Sequence, residues 1–202
     1  MLGFPTQKEH LAGPIALICI SCLLHLSEPI SSEWLGFYPQ LVIDGEWWRM
    51  VFGQLLHTNT NHLLLNIAGI ALVWALHGEY YRSSSFLSLS IISTLPIGLG
   101  LMYISEYGHY AGLSGVLHSL LAYGAVYDVK KGEKTGWLLM AGLSLKLAYE
   151  IFIGPSKETE TLIGAAVAYE AHLLGFISGL FLALVVIYWQ TNRQIKQINK
   201  GQ

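Results

Sequence analysis

Charge is what this sequence has least of. Asp, Glu, Lys and Arg together make up 12% of its 202 residues, against about 25% in a soluble globular domain. Hydrophobic residues make up 53%. A soluble body of this size has too few charges here to cover its surface, which excludes an ordinary cytosolic enzyme and a disordered linker. The formal net charge of -2 lacks the basic footprint of a nucleic-acid binder, so no nucleic-acid partner is expected. Cysteine is nearly absent too. Cys19 and Cys22 sit three apart in one apolar stretch, too few for a disulfide framework and without the histidines of a zinc finger. They read as small buried apolar residues. Internal repeats, low-complexity tracts and long linkers are lacking, so residues 1–202 read as one domain. What remains is a multi-pass protein of the lipid bilayer.

A membrane-crossing helix needs roughly 20 mostly apolar residues. Windows free of Asp, Glu, Lys and Arg run over 10–27, 50–78, 83–105, 107–127 and 171–192, and 135–156 is interrupted only by Lys146 and Glu150. These predict an all-α bundle with six spans, at about 11–27, 61–78, 84–104, 112–128, 136–153 and 168–189. No small-x-small cleavage site follows the first apolar run, so that run is expected to stay as a span rather than leave as a signal peptide.

The stretch 28–60 is too polar to span and too aromatic for a plain loop, with Trp34, Phe37, Tyr38, Trp47 and Trp48 among its acids. Such segments favour the membrane interface. It reads as a structured outer loop with a short helix near 46–57. Cationic residues fix the orientation. With the N-terminus inside, Lys8, Arg82, Lys130, Lys131, Lys134, Arg193, Lys196 and Lys200 face the cytoplasm, and Arg49 and Lys157 lie outside. The acids Glu28, Glu33, Asp44, Glu46, Glu106, Glu158, Glu160 and Glu170 then fall mostly on the outer side.

Polar groups inside a bilayer are expensive and invite explanation. Gly112-Leu113-Ser114-Gly115 opens the fourth span; alone, such a motif is weak and also suits close helix packing. His172 stands near the start of the sixth span, and alone it reads as a structural histidine. His62 and Asn66 are four apart, on one face of the second span. Depth links them. The second, fourth and sixth spans all run from outside to inside, so Ser114, His172, His62 and Asn66 share one layer a few turns below the outer surface. Three helix N-termini point their positive ends there. A hydroxyl, an imidazole base and extra donors at one depth are the parts of an acyl-transfer site.

Together these motifs resemble the rhomboid intramembrane serine proteases. The match rests on Gly112–Gly115, on Ala171-His172-x2-Gly175-x3-Gly179, on His62-x3-Asn66 and on Glu46-x-Trp48-Arg49, and it covers about residues 40–190. The runs around 63–66 and 112–118 resemble the rhombosortase subfamily, which implies cleavage of a GlyGly-type C-terminal sorting tail on membrane-anchored substrates. The resemblance also implies a bacterial inner membrane, with both termini cytoplasmic and the site toward the periplasm. It implies Ser114 as nucleophile and His172 as base in a dyad, with no acid orienting the base and no triad role for Glu170. The Ser114 N–H, His62 and Asn66 would stabilise the oxyanion, and Gly112 and Gly115 would permit close backbone approach. One departure is His118, at a position where the family commonly has a tyrosine stacking on the base; its imidazole can still pack against His172.

Other chemistry fits less well. Eight histidines invite a metal, but there is no HExxH and no acid beside the His pair, so neither metal nor cofactor is expected. A transporter would use Lys146 and Glu150 as an ion path but leaves the shared depth of Ser, His and Asn unexplained. A non-cutting pseudoprotease is at odds with an intact Ser114 and His172. Lys146 and Glu150 are themselves four apart, on one face of the fifth span. Lys146 lies about 16 Å along the helix from Thr135, near mid-membrane. Two readings follow: a structural ion pair, or a face bordering the substrate gate between the second and fifth spans.

Overall fold

The computed structural model describes residues 4–104 and 108–199; Glu106 and Lys200, used above for the two sides, lie outside them. In chain order the helices are α1 (Lys8–Leu26), α2 (Ile30–Leu35), α3 (Pro39–Ile43), α4 (Arg49–Phe52), α5 (Thr60–His77), α6 (Ser83–Ile104), α7 (Ser114–Lys131), α8 (Lys134–Phe152), α9 (Lys157–Ile163) and α10 (Tyr169–Ile198). Among the described residues there is no strand, and an isolated antiparallel bridge joins Phe37 to Tyr110. A long helix occupies each apolar window.

Local chemistry sets several boundaries. The Asn59 side chain accepts from His62 N at 2.8 Å and caps α5. Ser156 caps α9 in the same way. Gly132, at φ +82°, ends α7 in a left-handed turn. The helix of the fourth expected span, α7, starts at Ser114 rather than 112, because Gly112 at φ +131° cannot continue a helix. The last helix runs on to Ile198, beyond the expected 189, since neither Gly nor Pro interrupts residues 190–198.

Among the described residues, four helical stretches are long and apolar enough to cross a membrane: Lys8–Leu26, Thr60–Tyr80, Ser83–Ile104 and Tyr169–Ile198. A fifth passes only when α8 and α9 are taken together, across a 90° bend. Their outer faces are apolar: Leu23, Leu64, Ile91, Leu145 and Phe181 are each more than half exposed. That is inverted relative to a soluble protein and suits contact with lipid. Cys19 lies on this exposed side of α1, not in the core as expected; a small thiol sits without penalty against acyl chains.

α7 occupies the middle, packed by α5, α6, α8 and α10. Small residues allow this. A Cβ on Gly175 or Gly179 of α10 would overlap the carbonyl oxygens of Gly115 and Ser119 on α7. Ser119 also shares a 2.7 Å hydrogen bond with Ser93 of α6. At the opposite end, Asp128 accepts from the Tyr80 hydroxyl at 2.6 Å and the Thr135 hydroxyl at 3.0 Å.

The segment before α5 holds α2 and α3, which the sequence did not signal. The single helix expected over 46–57 is only α4 followed by a 3-10 turn at Gly53–Leu55. Arg49 organises this segment. Its buried guanidinium donates to Glu46 at 2.5 Å, to the Gly36 carbonyl at 2.9 Å and to the Glu33 carbonyl at 3.1 Å. Trp34 and Trp47 stay exposed around it.

Candidate active site

The approach to Ser114 is built by the loop before α7. Tyr110 N donates to the Phe37 carbonyl at 3.1 Å, tying this loop to the segment between α2 and α3. The Tyr110 hydroxyl then donates to the Gly112 carbonyl at 2.8 Å. Gly112 is needed twice over: its φ is +131°, and a Cβ there would lie 2.8 Å from Cε1 and Nε2 of His62. Ser114 follows as the first residue of α7, at the positive end of that helix.

α10 brings the base. Ser114 Oγ lies 2.9 Å from His172 Nε2. The His172 ring stacks on His118, with centroids 4.3 Å apart and planes 18° apart. His118 in turn donates from Nδ1 to the Ser114 carbonyl at 2.7 Å. The close α7–α10 approach at Gly115 and Gly175 is what sets hydroxyl and imidazole within reach.

α5 supplies His62 and Asn66, both buried. His62 Nδ1 lies 3.0 Å from the Thr58 hydroxyl, which leaves Nε2 toward Gly112. Asn66 Nδ2 donates to the His62 carbonyl at 3.2 Å. Thr58, Asn59 and Asn61 also donate to the last carbonyls of α9, at Ile163 and Leu162. Beside this clamp, in the loop before α5, His57 has its pKa pushed down to about 3, first by burial and then by His62 and His25.

α8 adds a contact that the motif reading left out. Glu150 Oε2 lies 2.9 Å from His172 Nδ1, while Glu150 Oε1 accepts from Lys146 Nζ at 2.7 Å. Lys146 Nζ is 3.4 Å from the same Nδ1. The ion pair expected from the spacing is present, but the carboxylate also reaches the base. Four groups thus run in series: Ser114, His172, Glu150 and Lys146. All of them line a cavity of about 470 Å³, together with His62, Asn66, Tyr110 and His118. Among the described residues no cluster of His, Cys, Asp and Glu is arranged to hold a metal. Thr58 and Tyr110 were not singled out from sequence, since hydroxyls that bond to backbone carry no spacing signal.

A serine hydroxyl bonded to an imidazole, in a cavity inside a bundle with an apolar exterior, defines a class: serine hydrolases that work within a membrane. The comparisons agree. The Rhomboid domain family matches residues 44–189. Rhomboid protease GlpG of Haemophilus influenzae is 25% identical over 198 residues, covering 92% of this chain and 95% of that protein. The proteins of the same name from Yersinia pestis (strain Pestoides F) and Pectobacterium atrosepticum are 26% and 28% identical, and this chain spans 66% of the length of each. The chain belongs to the rhomboid family of intramembrane serine proteases.

Proposed function

We propose that this chain is a single-domain intramembrane endopeptidase with six spans, in which Ser114 and His172 cut a membrane-anchored protein at the outer side of its anchor. The observation that carries this is the 2.9 Å contact between Ser114 Oγ and His172 Nε2 at the mouth of α7, open to the cavity. Ser114 Oγ bonds to the scissile carbonyl carbon as its proton passes to Nε2. The resulting oxyanion is met by the Ser114 N–H, His62 and Asn66. Nε2–H then protonates the leaving amine as the C–N bond breaks. Water, or an amine in a transpeptidation, attacks the ester and returns the proton to Ser114 through His172.

The motif runs around residues 63–66 and 112–118 support a rhombosortase-like substrate, a protein with a GlyGly-type C-terminal tail. The rhombosortase-like motif runs support a bacterial inner membrane, and the placement of Lys and Arg supports cytoplasmic termini with the site on the opposite, periplasmic side. No cofactor enters this scheme. The test is cleavage in reconstituted liposomes of a protein bearing such a tail. Ser114→Ala and His172→Ala should abolish it, and the mass of the new C-terminus separates hydrolysis from amine transfer. Unchanged cleavage by folded Ser114→Ala protein refutes the assignment.

A further inference from the structure

We infer that Glu150 is a positioning residue for His172, so that this protease works as a Ser-His-Glu series rather than a dyad; this rests on Ser114 and His172 acting as proposed above. The argument starts from donors and acceptors. An ionised carboxylate only accepts hydrogen bonds, and a Lys ammonium only donates them. His172 Nδ1 faces both, Glu150 Oε2 at 2.9 Å and Lys146 Nζ at 3.4 Å. The two contacts demand opposite tautomers. The nearer, Glu150, places the proton on Nδ1, which leaves Nε2 bare to accept from Ser114 Oγ, 2.9 Å away. A proton on Nε2 instead leaves no base for the serine.

Lys146 settles the competition by its own short bond. Its Nζ sits 2.7 Å from Glu150 Oε1, so the ammonium is engaged on the far carboxylate oxygen. The buried Glu150 carboxylate thereby has a partner on each oxygen, an opposite charge on one and the base on the other. During attack the Nδ1–H stays bonded to Glu150. The proton from Ser114 goes to Nε2 and later to the leaving amine, and the imidazolium formed between these events is stabilised by the adjacent carboxylate. This is the role of the buried acid in soluble serine-protease triads, where replacing it by its amide lowers kcat by about 10⁴ through the wrong tautomer.

The arrangement makes an asymmetric prediction. In Glu150→Gln, Lys146 can be satisfied only by the amide oxygen. The amide NH₂ must then face Nδ1, which imposes the unproductive tautomer. Adding Lys146→Met frees the amide to flip and present its oxygen to Nδ1–H. A merely structural ion pair also loses less when both partners go than when one does, but its recovery shows in unfolding temperature and folded yield, with kcat of the folded protein and the tautomer of His172 unmoved.

The experiment uses the full chain in liposomes with a transmembrane tailed substrate and a fluorophosphonate probe of Ser114. Glu150→Gln should lower kcat about 10³-fold, with KM within about threefold and slower labelling of Ser114. Lys146→Met/Glu150→Gln should recover at least about tenfold of that loss. In the unaltered protein, ¹⁵N shifts of His172 should report the proton on Nδ1. A folded Glu150→Gln protein with kcat within tenfold of the parent overturns the inference. So does a double variant no better than the single, or a neutral His172 protonated on Nε2, a readout that needs no mutant to fold. If Ser114→Ala or His172→Ala still cleaves, the underlying protease assignment fails. If both abolish cleavage while Glu150→Gln does not, only the role of Glu150 fails.

Discussion

Replacing Gly115 by Ala probes the feature on which the catalytic distance depends. An added Cβ would lie 2.9 Å from the Ala171 carbonyl oxygen and 3.3 Å from the Ala171 carbonyl carbon and Ile97 Cδ1. Ordinary contacts begin near 3.4 Å, so the start of α10 must retreat by about 0.5 Å at the residue next to His172. Overpacking of this kind costs about 1–3 kcal/mol of stability. A 1 Å misplacement of reacting groups costs about 10² in rate, so half that displacement should cost about tenfold in kcat. Gly175→Ala meets backbone more severely and should lose more in both respects. The assay is single-turnover cleavage in liposomes alongside thermal unfolding in detergent. Gly115→Ala protein with parental kcat and stability would refute the reasoning, because it would mean that α7 and α10 do not approach as closely as described.

Three other outcomes are expected. On the oxyanion role proposed above, His62→Ala and Asn66→Ala should each lower kcat by about 10²–10³, a larger effect than on stability, because the donors would act on charge that develops only in the transition state; steady-state kinetics and melting curves check this. Arg49→Lys should lower stability by about 2–3 kcal/mol, since a point ammonium cannot replace a fork that holds Glu46, Gly36 and Glu33 together; thermal unfolding measures it. His57, neutral in the fold with its pKa pushed down to about 3, titrates near 6.5 when unfolded. The unfolded chain therefore binds the extra proton between these values, and stability is full above pH 6.5 and falls as pH drops toward 3. In melting curves taken across that range, His57→Gln should flatten the decline.

The positions of the long helices were legible because charge is excluded from apolar windows, and the common depth of Ser114, His172, His62 and Asn66 followed from span direction alone. Glu150 was legible only in part. Its spacing to Lys146 announced an ion pair, and that pairing looked self-sufficient. A carboxylate has two oxygens, and only three-dimensional packing of α8 on α10 shows where the second one goes. The short helices α2 and α3 were missed for a related reason. At six and five residues they are too brief to stand on propensity, and the carbonyls at Glu33 and Gly36 are held by Arg49, a residue 13 or more positions away. The extension of α10 beyond 189 has only Ile195 and Ile198 among polar and charged residues, so a hydropathy window stops early.

The centrality of α7 bears on how the protein is made. This helix carries Asp128, Lys130 and Lys131 near its end and is not among the stretches apolar enough to cross a bilayer by themselves. During synthesis it is a poor candidate for release into lipid alone, and the neighbours α5 and α6, which emerge first, have to shelter it. Its last partner is α10, whose histidine follows Ser114 by 58 residues. The proposed nucleophile and base therefore meet only when the final helix docks. On the roles proposed above, a nascent or truncated chain without α10 would hold the serine with no base beside it.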